Sequence, residues 1–325
     1  MIKEVKRMKN TINKEILEGR LYDFDLSKKT VKNQASNYYG QEFWSGTIQI
    51  ATDEAGLNVI PVHYTFVLPT FGNGKTDSRF SAFEKITSEE KTWLKVGKEN
   101  AEMIRLTPSG DLNDFYIVND NRAVSAQRNE GGFITFIKDL APEGTPRNKF
   151  TYDMIINKVT VVEPKEDTDD VLHARIHGVI FNFRGAILPW DLIAYNPKAI
   201  EYFEGLGVSS AEPIYTQVWG SIKNTTVKVE KEVENAWGEP MIEYSERTRR
   251  EWVIEGSKPQ LYDFTEEDMA DLQKKIGDRN VYLEEVKSAA IEYANNQKTA
   301  TQSTPTPNKM AGPLSNIPEG DFNDF

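Results

Sequence analysis

Phe71-Gly72-Asn73-Gly74-Lys75-Thr76 follows an apolar run and sets a glycine, a lysine and a threonine where phosphate-binding loops carry them. Such a loop needs G-x-x-x-x-G-K-[ST], so that backbone N–H groups cradle the phosphates while the lysine neutralises them. Five residues before Gly74 stands Pro69, which has no N–H to offer. No apolar strand ends in an aspartate placed to hold magnesium. The stretch reads as a hairpin loop with a basic tip, and nucleotide hydrolysis through Lys75 stays open as an alternative. Metal chemistry has as little support. Of the three histidines, His63 stands alone, and His173 and His177 sit about 13 Å apart if their segment is a strand, too far to share one ion. The acidic run Glu166–Asp170 lacks the glycine and the closing glutamate of a calcium loop and reads as a solvated turn. With no cysteine, thiolate ligands, cysteine nucleophiles and disulfides are excluded. The sequence nominates no catalytic residue, metal or cofactor and predicts a protein that is not an enzyme.

What it offers is aromatic rings beside cations. A single strand of nucleic acid asks for that pairing, because bases stack on rings and phosphates meet Arg or Lys. Between Leu172 and Phe183 a period of two puts His173, Arg175, His177, Val179, Phe181 and Phe183 on one side. Leu172, Ala174, Ile176 and Ile180 lie on the other. The small aliphatic side reads as core and the mixed side as a binding face. An inward turn of Phe181 and Phe183 past a bulge at Gly178 is the competing arrangement. Earlier in the chain, Lys75, Arg79 and Phe80, with Phe83 and Lys85 behind them, then Lys91, Trp93, Arg122 and Arg128, mix the same ingredients. Later come Tyr215, Trp219 and Lys223, then the dense cluster Arg247, Arg249, Arg250 and Trp252. Any one of these rings also suits a hydrophobic core.

Two series of short strands must position these residues. Residues 1–41 are polar and basic, with a short helix expected over Asn13–Leu21, and read as an N-terminal arm. "GTIQIATD" and "LNVIPVHYTFVL" read as strands about the turn Asp53–Gly56. In the second, Ile60, Val62, Tyr64, Phe66 and Leu68 share a face, with His63 and Thr65 opposite. Further strands over "EMIRLTP", "DFYIV", "AVSAQR" and "GGFITFIKD" complete a β-domain spanning 42–147, with its boundary at "APEGTPRN". A second β-domain spans 148–262, with a short helix over "NPKAIEYFEGLG" and a closing hairpin in "MIEYSERTRREWVIEG". A helical segment over 263–295 starts at the capping pattern Thr265-Glu266-Glu267-Asp268. Several short strands with little helix, twice over, predict a mainly β protein of two oligonucleotide-binding (OB)-like small barrels.

The charge is distributed unevenly. The net charge is −11, and residues 263–325 hold 12 acidic against 6 basic side chains, while residues 1–35 hold 9 basic against 5 acidic. An acidic balance weighs against duplex DNA and less against single strands, where stacking shares the binding. No run of about 18 apolar residues and no apolar leader is present, so the chain reads as cytoplasmic.

The last thirty residues, 296–325, are a Thr/Pro/Asn/Gln-rich linker followed by Ile317-Pro318-Glu319-Gly320-Asp321-Phe322-Asn323-Asp324-Phe325, read as a disordered linker and acidic tail. With this tail, the chain resembles phage- or plasmid-type single-stranded-DNA-binding replication proteins, which join OB barrels to a polar linker and an acidic tip ending in phenylalanine. The resemblance implies coating of single-stranded DNA in replication or recombination. It also implies recruitment of replication or recombination proteins through Asp321, Phe322, Asp324 and Phe325. A β protein that binds only protein, or that serves virion assembly, is the alternative. Gly110-Asp111-Leu112-Asn113-Asp114-Phe115 nearly repeats Gly320–Phe325.

Overall fold

The computed structural model describes residues 11–142, 144–164, 171–233, 237–238, 241–261 and 263–302. The structure is mainly β. Strands β1 (Asn13–Thr30), β2 (Glu42–Ala51) and β3 (Val59–Val67) form an antiparallel meander. After it come helices α1 (Ser78–Glu89) and α2 (Trp93–Val96), strand β4 (Met103–Leu106), hairpin β5 (Ser109–Ile117)–β6 (Arg122–Glu130), and β7 (Ile134–Phe136). β4 pairs with both β1 and β7, and the end of β6 runs parallel to β3. β6 and β7 act as one strand broken at Gly131-Gly132. Both glycines have positive φ, and a Cβ on Gly132 would sit 2.1 Å from the Thr107 carbonyl oxygen, so only glycine fits there. Counting β6 and β7 together, the five strands β1, β2, β3, β6/β7 and β4 close on themselves as barrel 1, with β5 paired to β6 outside the ring.

The same order recurs. β8 (Asn148–Val162), β9 (His173–Phe181) and β10 (Ile187–Ala194) are antiparallel neighbours, followed by α3 (Pro197–Gly205), β11 (Ile214–Val233) and β12 (Met241–Ser257). β12 pairs with β11 and runs parallel to β10 at Val253 and Ile193, and β11 returns to β8. This closes barrel 2. Three strands, a helix, then two strands, with the third and last parallel, is the OB arrangement in each case.

Period-2 patterning fills both interiors. Ile48, Ile50, Ile60, Val62, Ile104 and Leu106 are fully buried in barrel 1, and Ile156, Ala174, Ile176, Ile180, Leu192, Val218 and Ile222 in barrel 2. α1 starts where the Asp77 carboxylate accepts the Arg79 N–H, and turns Phe80, Phe83 and Ile86 inward. Phe83 meets Trp44 and Tyr64 there with ring centroids 6.2 and 4.9 Å apart.

The two barrels share β1. Its first residues pair with β8, the middle with β4 and the rest with β2, so all strands belong to one sheet. Asn58 and Asn224 add a polar clasp. The Asn58 side chain accepts the Asn224 N–H at 2.7 Å and donates to the Ile222 carbonyl at 3.1 Å.

Several expectations change here. Asn13–Leu21 is strand, not helix. Leu17 and Leu21 are buried, residues 13–17 pair with β8 and residues 17–20 with β4, so sheet pairing overrides local propensity. Barrel 1 therefore begins at residue 13, inside the segment read as an arm. Residues 78–89, given no helix from the sequence, form α1. "MIEYSERTRREWVIEG" is no hairpin but the single long strand β12. The helices over α3 and α4 (Glu266–Gln302) are found, the latter with the Thr265 hydroxyl accepting the Asp268 N–H and Asp268 accepting the Thr265 N–H. Residues 1–10, the acidic loop 166–170 and the tail 303–325 lie outside the described residues. Leu112–Gln127 and the chain from Gln273 group as a second unit, in which Arg279 reaches Asp114 at 2.7 Å and Ser125 at 3.0 Å.

Candidate nucleic-acid interface

The loop between the first two strands of barrel 1 is built from its own hydrogen bonds. Val31 N–H reaches the Gln41 carbonyl and Gly40 N–H the Val31 carbonyl. Asn33 accepts the N–H groups of Ala35 and Ser36. The loop holds Tyr38 and Tyr39 outward. Tyr38 meets Phe66 edge-on with centroids 5.9 Å apart, and Phe66 meets Phe43 at 4.6 Å. At period 2 Phe66 was expected on the same face as Ile60, Val62 and Tyr64, all of which are buried. A register shift between Trp44 and Gly46 of β2, opposite Tyr64 and Val67 of β3, leaves Thr65 and Phe66 both exposed and returns Val67 to the core. The bulge thus converts one core aromatic into an open one. Phe43, Phe66, Lys29 and Lys32 line a cavity of about 610 Å³. Lys28, one residue earlier, bonds Glu42 at 3.0 Å and Glu84 at 3.4 Å, whereas Lys29 and Lys32 have no carboxylate partner among the described residues. Stacked rings beside two uncommitted ammonium groups suit successive bases and their phosphates. The sequence holds a signal for this site in "NYYGQEF" after Lys28, Lys29 and Lys32, but reading residues 1–41 as an arm separates Tyr38 and the lysines from Phe43.

The nominated residues of barrel 1 divide. Lys75 is exposed at the tip of a turn closed by Phe71 N–H to Lys75 C=O, with Gly74 at φ +79°. Arg79 is occupied: it bonds Asp77 at 2.6 Å and lies over the rings of Phe71 and Phe133. Phe80 is buried, with the Lys28 ammonium over its ring. Lys85 bonds Glu102, Lys91 bonds Glu89, and Arg128 bonds Glu130. Trp93 is half-buried against Tyr22. Arg122 is exposed on β6.

Barrel 2 treats its aromatics differently. Of the expected inner face, Ala174, Ile176 and Ile180 lie in the core, whereas Leu172, just before β9 and outside its pairing, is exposed; Arg175 and His177 point outward. The His177 Nδ1 lies 2.8 Å from Asp191, which also stands 3.9 Å from Arg175, so a carboxylate shares this face. His173 is buried beside Tyr195. Phe181 and Tyr215 were read as stacking platforms. Instead they pack with Ile155, Val179 and Ile187 beneath Phe264 and Leu272 from the segment after β12. That segment is tied down by Lys258 N–H to Gln217 and Leu261 N–H to Tyr215. No base reaches those two rings. Phe183 is almost fully exposed on the β9–β10 turn, with the Arg184 guanidinium 5.1 Å from its centroid. Trp219 is partly exposed and Lys223 is exposed.

The described residues of the basic cluster on β12 are largely committed to partners within the chain. Arg249 bonds Glu251 at 2.6 Å and also donates to the Tyr195 hydroxyl. Trp252 is buried and donates its indole N–H to Glu15 at 3.2 Å. Arg250 also lies beside this carboxylate, and burial pulls its guanidinium down to about 10 against the opposing pull of Glu15. Tyr152 donates its hydroxyl to Glu15 as well. Burial pushes Glu15 up to about 7 despite these three partners. His63 falls to about 4, through burial and then the charges of Arg250 and Arg128. Glu15 escaped notice because an acid in a basic stretch carries no mark of burial. The side chain of Arg247 and the tail residues Asp321, Phe322, Asp324 and Phe325 lie outside what the structure describes.

Among the described residues no helix is long and apolar enough to cross a membrane, and no three His, Asp or Glu side chains gather as metal ligands. No curated protein matches the chain. Among solved structures it is similar to the single-stranded DNA binding protein from Thermus aquaticus. A deletion variant of that protein gives 12% identity and a TM-score of 0.45, covering 79% of this chain and 98% of the other. The wild type gives 13% and 0.42, covering 79% and 96%. The family model YorF matches residues 13–289, from the first residue of the strand that joins the barrels to well inside α4, and the chain belongs to that family.

Proposed function

We propose that this protein binds single-stranded DNA, with the groove of Tyr38, Phe43, Phe66, Lys29 and Lys32 on barrel 1 as its principal contact. The observation that carries the reading is that groove: open rings and unpaired lysines together on the loop between strands one and two. OB barrels bind oligonucleotides with that loop, the adjoining strands and the hairpin between strands four and five. Among the nominated residues, Lys75, Arg122, Arg175, Phe183, Trp219 and Lys223 remain exposed for secondary contacts. Coating of single strands during replication or recombination, in a phage setting, is the role this binding serves. The tail residues Asp321, Phe322, Asp324 and Phe325 recruit replication or recombination proteins.

Titration with oligo-dT, followed by quenching of intrinsic Trp fluorescence, tests the reading. Affinity should fall with salt at a log–log slope near −0.7 per neutralised phosphate. Absence of binding at about 50 mM salt, where such contacts are strong, sinks it in favour of a protein-only β module. Removal of residues 313–325 should leave folding intact and tighten DNA binding modestly. The tether's acids otherwise compete for cationic sites at an effective concentration that reaches roughly millimolar. Capture of replication proteins should fail in the same variant.

A further inference from the structure

Barrel 2 carries a second cavity, of about 520 Å³, between α3 and the strands β11 and β12. It lies away from the barrel 1 groove. Its walls combine three features that belong together only around a particular ligand. The first is charge. Lys198 and Lys223 both line it, and neither has a carboxylate partner among the described residues, whereas Lys28, Lys85, Lys91, Lys95 and Lys98 are all paired. The second is ring surface. Tyr195 and Tyr202 line it, and Gly256 in its wall lies under the ring of Trp219, whose atoms a Cβ there would approach to 2.5 Å. The third is a polar wall group: Ser221 is more than nine-tenths buried and lines the cavity, where its hydroxyl can donate to or accept from a ligand.

The N-terminus of α3 is adjacent but is not the anion site. Asn196 already accepts the N–H groups of Lys198, Ala199 and Ile200 through its side chain and carbonyl. The lysines must therefore carry any anion. Glu255 also lines the cavity, without an ion pair of its own among the described residues, so a purely anionic ligand fits poorly. A ligand with an anion at one end and a planar ring bearing N–H donors at the other uses all the walls.

We propose that this cavity holds one nucleotide. Its phosphate lies between Lys198 and Lys223, its base stacks against Tyr202 or Tyr195, and Glu255 accepts from an amino or imino N–H of the base. The same chemistry is presented by a free deoxynucleoside monophosphate and by the phosphorylated end of a strand.

Calorimetric titration of the full chain with each deoxynucleoside monophosphate, and with oligo-dT bearing or lacking a 5′ phosphate, separates these sources. Saturable binding of a monophosphate supports a free-nucleotide site, and tighter binding only of the 5′-phosphorylated oligonucleotide supports a strand-end site. In either case Lys198→Ala with Lys223→Ala should weaken the interaction roughly tenfold or more, as loss of two charge-assisted contacts requires. Tyr202→Ala should weaken it about 5- to 150-fold, the range of one stacked base. All three side chains are exposed, so folding is not at stake. Glu255→Gln should change which base is preferred. The site is refuted if no monophosphate binds and the 5′ phosphate makes no difference, or if the lysine variant binds like the parent. A Phe43→Ala/Phe66→Ala variant keeps the tests apart: it should lose oligonucleotide affinity and retain the nucleotide, so either site can fail alone.

Discussion

Barrel 1 and barrel 2 have the same strand order but treat the aromatics on their outer faces in opposite ways. On barrel 1 a bulge in β3 pushes Phe66 out beside Phe43 and Tyr38, and Phe66 and Tyr38 stay exposed among the described residues. On barrel 2, Phe181 and Tyr215 occupy an outer face too, but the chain doubles back after β12 and seals them under Phe264 and Leu272. The difference lies outside the barrels themselves. Barrel 1 is followed by a second barrel, and barrel 2 by a segment with apolar residues to bury. A ring serves a ligand only where the chain has not already claimed its area, since burial of that area is worth more to the fold than an intermittent ligand returns.

The sharpest way to break this contrast is Phe181→Ala. If the ring is core, the change should cost about 3–5 kcal/mol of stability, and the folded fraction should bind oligo-dT as before. Urea unfolding and a titration well below the midpoint measure the two. A loss of DNA affinity with little loss of stability would make barrel 2 the binding barrel.

The opposite outcome is expected on barrel 1. Phe43→Ala with Phe66→Ala should lower affinity for oligo-dT by roughly 30- to 25,000-fold, about 2–6 kcal/mol for two stacked bases. Both rings are partly exposed and near the sheet rim, so the thermal midpoint should move little. Unchanged affinity would remove the groove from the interface.

These contrasts explain what the sequence could and could not reveal. Alternation of polar and apolar residues is local, so the inner faces were legible: Ile176 and Ile180 against Arg175 and His177 came out as read. The two small barrels and the capped start of α4 also rested on local signals. Whether an outer-face ring is covered depends on residues distant in sequence. Phe181 is capped from 83 and 91 positions away by Phe264 and Leu272, and nothing near Phe181 announces it. Phe66 fails for a related reason, since a bulge depends on how two strands meet and breaks the period without changing composition. Asn13–Leu21 looked helical because pairing partners on both sides, β4 and β8, come more than 80 residues later.

The shared strand gives a third test, of the joint between the barrels. Glu15 keeps its proton up to about pH 7 when folded, against 4.5 for the ordinary side chain. Through that window the folded chain holds more protons than the unfolded one, so this group's contribution to stability falls as pH rises. His63, held down at about 4 from 6.5, works the other way: the unfolded chain holds more protons between those values, so its contribution rises with pH. The two oppose each other from about pH 4.5 to 6.5. Glu15→Gln removes the falling part and keeps an acceptor for Tyr152 and Trp252. Relative to the parent, the variant should gain stability steadily from pH 5 to 8, by up to about 3 kcal/mol. Thermal midpoints across that range decide it, and parallel curves would mean that Glu15 does not titrate there.

The smallest effect discriminates between neighbouring lysines. Lys28, Lys29 and Lys32 lie within five residues on the rim of barrel 1, yet Lys28 is held by Glu42 and Glu84 while the other two line the groove unpaired. A lysine already neutralised by carboxylates releases few counterions when a phosphate arrives. Lys29→Ala with Lys32→Ala should therefore flatten the salt dependence of oligo-dT binding by about 1.4 in log–log slope, two phosphates at ~0.7 each. Lys28→Ala should leave the slope within error, although loss of its position over the Trp44 and Phe80 rings will cost some stability. The absolute affinity change at low salt will be modest for either variant, so the slope is the quantity to measure. Equal slopes in all three proteins would mean that phosphates run elsewhere on barrel 1. Lys75, exposed at its turn, would then be the next residue to replace.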